Sequence, residues 1–292
     1  MNSADALHGA LVADAAAMGL HWMYDQELLE LLEKSGDLLF RQPDSNVYEG
    51  KKAYFAHAAK RSGDYSHYGQ SARVAADVIE THGRYSTADH RQMFFDTFGP
   101  CGSYHGFADR PTKALVARII AGGEDIPDLS GSDDDQLPAL CCVPALFCHD
   151  ANSLVVKSAV SVTTINETAI SGALVLHKCL SFLHSGSSLN DALMQSADCE
   201  NSELSGLLKD ALNREPYDPK SAANHFGMPC HMTQGLPVAW HLLKHSTDYE
   251  SVVRDNIRCG GDSCGRAMAV GSVAGLFHGI PDELKRKVRE RL

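Results

Sequence analysis

The sequence predicts an all-α protein with a single domain over residues 1–292. Three observations carry that reading. Apolar residues recur at helical spacing along most of the chain, and strand-like alternation is scarce. The two most apolar small-residue segments, Ala6–Met18 and Arg266–Phe277, lie near opposite ends of the chain. Their Ala and Gly content lets helices approach closely, so both are expected in one central core. Apolar residues make up 44% and charged residues 22%, a balance suited to a substantial buried core and not to a disordered chain.

The first helix reads from Ala6 to Met18, with Leu7, Ala10, Leu11, Ala15 and Met18 on one stripe. Ser71–Glu80 repeats the pattern through Val74, Ala75, Val78 and Ile79. Pro111 opens a segment that runs to Ile120 and stops at Gly122-Gly123, because proline fits the first turn of a helix and glycine its end. Further helices are expected over Ser153–Thr164, Glu167–Leu183, Leu189–Ala197, Glu203–Leu212, Pro237–Lys244 and Tyr249–Ile257. The segments Asp125–Pro138 and Asn213–Lys220 read as loops, from their Gly, Pro, Ser, Asp and Asn content.

Composition excludes several classes of function. The 26 basic and 37 acidic residues leave a formal charge of −11, which repels phosphate backbones and argues against a nucleic-acid partner. The first residues carry no basic n-region, and Asp5 and Asp14 interrupt any signal core. No apolar run reaches membrane-spanning length. Nine cysteines without a Cys-x-x-Cys pair fit a reducing compartment. The expectation is a cytoplasmic protein with no membrane partner, present as a monomer or weak homo-oligomer. Walker, His-Glu-x-x-His and Gly-x-Gly-x-x-Gly motifs are all missing, which removes the common nucleotide and zincin readings. His241 and His245 share a helix face at metal spacing, and His225, Cys230 and His231 lie close together, but neither group has a third ligand in register. Asp133-Asp134-Asp135 reads as a solvated acidic loop.

Four clusters concentrate chemistry. Asp14 is followed by an aromatic turn, Gly19-Leu20-His21-Trp22-Met23-Tyr24-Asp25, whose rings could stack on a ligand or simply pack in the core. Gly63-Asp64-Tyr65-Ser66-His67-Tyr68-Gly69-Gln70 gathers more hydrogen-bonding groups at one helix start than capping needs. Gly99 to Asp109, which includes Tyr104, reads as a glycine-rich loop before the Pro111 helix. Last comes Cys259-Gly260-Gly261-Asp262-Ser263-Cys264-Gly265-Arg266. Here Asp262 is placed to cap a helix, and Cys264 falls in its first turn, where the helix dipole favours an anion or a thiolate.

Taken in order, these clusters resemble the ADP-ribosylglycohydrolase family, in particular its branch of J-type crystallins and related selenoproteins. Gly9-Ala10-Leu11-Val12-Ala13-Asp14-Ala15 is similar to the family's opening Gly-Asp-Ala-x-Gly helix, and Leu20-His21-Trp22-Met23-Tyr24 to the crystallin-like branch. Tyr104-His105-Gly106-Phe107-Ala108-Asp109 resembles its Gly-Tyr-x-Asp substrate loop. Val162–Ala173 and Leu236-Pro237-Val238-Ala239 resemble two internal helices, and Gly260-Gly261-Asp262 with the following helix resembles the closing motif.

The resemblance implies an all-α fold whose second and fourth clusters meet at a site for two Mg²⁺ ions. The family's active hydrolases carry Thr-Asp-Asp-Thr and Gly-Gly-Asp-Thr-Asp-Thr there, whereas this chain carries Ser66-His67-Tyr68 and Asp262-Ser263-Cys264. Three of four metal-binding carboxylates are thus replaced, so no metal and no cofactor is expected, the binuclear Mg²⁺ site being lost. The expected catalytic residues are His67, Asp262 and Cys264, with His67 facing Cys264 and Asp262 or Asp14 orienting the imidazole. The expected substrate-binding residues are Asp14, His21, Trp22, Tyr24, Ser66, Tyr104 and Asp109, acting on a small nucleotide- or glycoside-containing molecule. A thiol hydrolase, an altered metal site, an ADP-ribose hydrolase with a single weakly held Mg²⁺ and a non-catalytic, lens-crystallin-like protein are the readings this leaves.

Overall fold

A computed structural model describes residues 1–122 and 131–292. The described residues form sixteen α-helices and two short 3-10 turns, with no strand among them beyond isolated bridges. Gly123 and residues 125–130 of the expected loop lie outside the described residues.

At the centre, α1 (Ala4–Ala17) packs along α15 (Ser263–His278), so the two ends of the chain meet in one core. Both helices are buried almost all round, as a sequence without a polar face requires. The contact is close because the crossing is lined by small residues. A Cβ on Gly271 would stand 2.4 Å from the Gly9 carbonyl oxygen and 2.6 Å from Ala13 Cβ. The Tyr249 hydroxyl of α14 (Tyr249–Arg258) donates to the same Gly9 oxygen at 2.6 Å, fastening a third helix to the pair. One apolar cluster runs from Ala6 to Leu284, with a satellite of Val74, Phe94, Leu115, Ile119 and Val162.

Around the pair stand α4 (His67–His82), α7 (Cys142–Cys148), α9 (Glu167–His184) and α13 (Met232–Lys244). The expected helices are present, with their bounds shifted at the ends. That from Ser71 begins four residues earlier, because Ser66 accepts the Tyr68 N–H and starts the turn. That from Pro237 begins at Met232 and carries the proline inside it, since the Asp135 carbonyl anchors the Met232 N–H five residues ahead. The helices α2 (Gln26–Ser35), α5 (Thr87–Phe98) and α12 (Pro219–Phe226) add to those expected. Each starts on a side-chain cap, Asp25, Ser86 and Asp218 respectively. Among the described residues no helix is long and apolar enough to cross a membrane.

Candidate functional site

The site forms where the α1 end, the α4 start and the α15 start converge. Gly260 and Gly261 adopt the left-handed conformation at φ +73° and +67°, which glycine enters without steric cost. A Cβ on Gly261 would also lie 2.3 Å from the Met228 carbonyl oxygen. This turn aims Asp262 inward, where it caps α15 through the Gly265 N–H at 2.8 Å. Arg266, fully buried, braces the turn from below: Nη2 donates to the Gly260 carbonyl at 2.6 Å and to that of Asn256 at 3.0 Å, and Nε donates to Asn256 Oδ1 at 2.9 Å.

Both Asp262 oxygens are engaged by protein donors. Oδ1 pairs with His21 Nε2 at 2.9 Å, and Oδ2 accepts the Tyr68 hydroxyl at 2.6 Å. Burial works to raise the Asp262 pKa, but these donors and the Gly265 N–H overcome it and hold the carboxyl below its usual range. His21 continues outward, its Nδ1 lying 2.8 Å from His57 Nε2. Burial lowers the pKa of both imidazoles, that of His57 well below its ordinary value, although the Asp262 carboxylate works the other way on His21.

His67 lies on the other side of Tyr68, with ring centroids 4.2 Å apart. Its Nε2 stands 3.4 Å from Asp109 Oδ2, an ion-pair distance without hydrogen-bond alignment. Asp109 also caps α6 (Arg110–Gly122) through the Thr112 N–H at 2.8 Å. Burial acts to raise the Asp109 pKa, but His67 and Thr112 more than offset it, and the carboxyl stays below its usual value.

A roof of aromatic rings covers these groups. Trp22 stacks on His21 at 4.0 Å and meets Phe107 edge-on at 4.9 Å and Tyr54 at 5.6 Å. Trp22 holds φ +58°, costly for a bulky residue. It is kept there because its N–H donates to Gly261 O at 2.8 Å and its carbonyl accepts the Tyr54 N–H at 3.0 Å. Tyr104 donates to the Phe107 carbonyl at 3.1 Å and lies under the Lys60 ammonium, 4.3 Å from its ring centroid, so it shapes the roof loop. Half-buried Tyr24 flanks the site, and burial followed by the nearby Asp262 charge pushes its phenol up to about 12.

The expected pairing of His67 with Cys264 requires correction. Cys264 Sγ instead contacts the Asp14 carbonyl at 3.7 Å, and among the described residues no hydrogen bond joins it to an imidazole. Burial, then the Asp14 and Asp262 charges, drive its thiol well above the usual range, overriding the helix dipole. The partner opposite His67 is Asp109, while Asp262 orients His21. Near neutral pH, iodoacetamide is expected to alkylate exposed Cys101 readily and Cys264 only once the protein unfolds. Peptide mass spectrometry over time checks this, and early labelling of Cys264 would restore the thiol reading.

Asp14 is buried and bound by Ser66, whose Oγ and N–H donate to its two oxygens at 2.5 and 2.8 Å. Burial outweighs those bonds and raises its pKa to about 6. A carboxyl whose folded pKa lies above its unfolded value of about 3.9 favours folding fully below about pH 4, and that contribution fades as pH climbs through about 6. Asp14→Asn removes the charged form and is expected to raise stability by about 1–2 kcal/mol at pH 8, a gain that shrinks towards pH 4. Urea unfolding of both proteins across this range tests the sign, and a gain that grows on acidification would refute it.

This donor set does not suit two Mg²⁺ ions. Asp262 is saturated by protein donors, Asp14 is consumed by Ser66, and the remaining groups are imidazole, phenol and a protonated thiol, where Mg²⁺ requires oxygen ligands in an octahedron. Among the described residues no three His, Cys, Asp or Glu side chains are placed to hold a metal ion. His231, for example, is tied to Asp135 at 2.9 Å. Sequence reasoning did not single out His57, Arg266 or the ring of Phe107. The chemistry of Phe107 was within reach, since it lies in the Tyr104–Asp109 loop; nothing near His57 in the chain marks it.

The ADP-ribosylglycohydrolase family model matches residues 3–292. Crystallin J1A of Tripedalia cystophora is 23% identical over 304 aligned residues, covering 94% of this chain and 87% of the crystallin. A solved structure described as an ADP-ribosylglycohydrolase-related protein complex superposes with a TM-score of 0.65 at 15% identity, covering 98% of this chain and 96% of that one. With its opening helix, closing glycine turn and helical core all in place, this chain belongs to the ADP-ribosylglycohydrolase family.

Proposed function

We propose that the protein is a metal-independent, hydrolase-type member of its family, acting on the glycosidic bond of a small riboside- or nucleotide-like molecule at the roofed site. One observation carries this reading. The carboxylate at the closing turn is held by His21, Tyr68 and the Gly265 N–H, while three imidazoles and a second carboxylate, Asp109, gather under aromatic rings. Imidazoles exchange protons near neutral pH without a metal, and Trp22 and Phe107 offer faces on which a flat ring can stack. On this reading Asp109 accepts a hydroxyl or amine of the substrate, and Tyr104 and Tyr24 help to hold it.

The test is hydrolysis of 4-nitrophenyl β-D-ribofuranoside with excess EDTA. The parent protein is expected to release nitrophenolate at a rate indifferent to EDTA, and Asp262→Asn to slow it by about a hundredfold. Activity that vanishes with EDTA and returns with Mg²⁺ would overturn the metal-independent reading.

A structural, crystallin-like role is the second reading, favoured by complete burial of His21, His67 and Asp262 beneath the roof. It stands if the riboside stays intact and ADP-ribose leaves the melting temperature unchanged.

A further inference from the structure

His21, His67 and Asp262 are completely buried, so a molecule can meet them only after the roof lifts. The roof loop, residues 99–109, is held at its base by two backbone bonds to the last turn of α5: Ser103 N–H donates to the Asp96 carbonyl at 3.3 Å, and Tyr104 N–H to that of Thr97 at 3.0 Å. Its middle rests on Lys60. The ammonium lies 4.3 Å from the Tyr104 ring centroid, and a Cβ on Gly106 would stand 3.1 Å from Lys60 Cε. Lys60 is itself only 9% exposed, and its ion-pair partner is Glu290, whose Oε1 is 4.0 Å from the ammonium. Glu290 belongs to residues 288–292, which follow α16 (Asp282–Lys287) without helix or strand. They lie as a strap across the turn that leads into α4. Arg289 N–H donates to the Gly63 carbonyl at 2.9 Å, Glu290 Oε1 accepts the Tyr65 N–H at 2.9 Å, and the Tyr65 hydroxyl donates to the Arg291 carbonyl at 2.7 Å. At Gly63, with φ +87°, an added Cβ would stand 2.2 Å from the Lys287 carbonyl oxygen, so the approach requires glycine.

We propose that residues 288–292 are a latch on the roof of the site. Seated, the strap keeps Lys60 on Tyr104 and the roof closed; released, it lets residues 99–109 lift and admit a ligand to His67 and Asp109. The coupling is electrostatic. A buried ammonium that loses its carboxylate is far costlier than one in water, so when Glu290 leaves, the Lys60 head turns out to solvent and gives up the Tyr104 face. Roof and strap are thereby joined through one side chain. The strap is free to leave because its hold consists of a few polar bonds and the half-buried side chains of Val288 and Leu292, with no helix or sheet ladder to break. The latch rests on the reading above only in taking the space beneath the roof as the ligand's place.

The experiment compares amide hydrogen exchange, residue by residue, in the parent, Glu290→Gln, Lys60→Met and the double variant. Glutamine can still accept the Tyr65 N–H but carries no charge, and methionine keeps an apolar stem against Gly106 without the ammonium, so both remove the ion pair and leave the packing. Each single variant is expected to speed exchange at the Ser103 and Tyr104 amides by about tenfold or more, with Val270 in the middle of α15 changed by less than about twofold. Because both act through one contact, the double variant is expected to exchange no faster than the quicker single. Acrylamide should quench Trp22 more readily in all three, while the other tryptophan, Trp240, is wholly buried. Ser103 and Tyr104 amides that keep the parent's rate in Glu290→Gln overturn the latch, as does a Val270 amide that speeds up in step with them, since that marks global unfolding. If Lys60→Met fails to fold, Glu290→Gln decides alone. The riboside assay reads separately: intact riboside with a loosened roof removes the glycosidase reading and keeps the latch, and hydrolysis with an unchanged roof does the reverse.

Discussion

Gly271→Val is expected to destabilise the protein by about 3 kcal/mol or more, the upper end of what overpacking costs. The added Cβ alone would sit 2.4 Å from the Gly9 oxygen and 2.9 Å from the Gly9 carbonyl carbon, and these are backbone atoms that no rotamer change can move. Relief requires α1 and α15 to separate, which opens the centre of the core and loosens the Tyr249 bond to Gly9. Gly206 provides a control of opposite sign. It lies exposed in α11 (Ser202–Asn213), and a methyl added there would meet no atom within 4 Å, so Gly206→Ala is expected to add about 0.5–1 kcal/mol through helix propensity. Urea midpoints for the two variants test the pair, and a Gly271→Val loss below about 1 kcal/mol would show that the crossing is far more yielding than its geometry indicates.

Asp262→Ala is the second large effect, with an expected loss of about 3–5 kcal/mol near neutral pH. It orphans three buried donors at once, His21 Nε2–H, the Tyr68 hydroxyl and the Gly265 N–H, and it removes the α15 cap. Relief of the carboxylate's own desolvation offsets part of this, and Asp262→Asn, which keeps one acceptor, should cost less. The pH dependence follows from the lowered pKa. The carboxylate's contribution is complete above the unfolded value of about 3.9 and is lost as pH falls through the lower folded value. The gap between parent and Asp262→Ala should therefore narrow below pH 4, in contrast to Asp14, whose contribution moves the other way. A gap that stays constant on acidification would mean that packing, and not charge, sets the loss.

The core helices were legible in the sequence because helical periodicity and small-residue content are local properties. Ala6–Met18 and Arg266–Phe277 announce a buried pair, and Asp262 between Gly261 and Ser263 announces a cap; both stand in the structure within a few residues. The aromatic turn around Trp22 was visible in the same way, whereas the helix read from Ser71 starts four residues earlier, at the Ser66 cap. The resemblance to the family further implied, from Ser66-His67-Tyr68 and Asp262-Ser263-Cys264, the replacement of three metal-binding carboxylates.

What those replacements became was a matter of tertiary structure. A hydrogen-bond partner or a pKa is set by groups close in space, and here those groups are far apart along the chain: 194 residues separate Tyr68 from Asp262, and 250 separate Asp14 from Cys264. Cys264 occupies a helix start that favours a thiolate, yet full burial beside two carboxylates reverses the effect, because desolvation of a charge outweighs a partial dipole. His57 carries no local signature, and it matters only because folding sets it against His21. The sequence by itself determined the helices, their caps and the inventory of reactive side chains; the packing of those helices decided which side chains pair and which way their pKa values shift, since electrostatics acts through space and burial is a property of the whole fold.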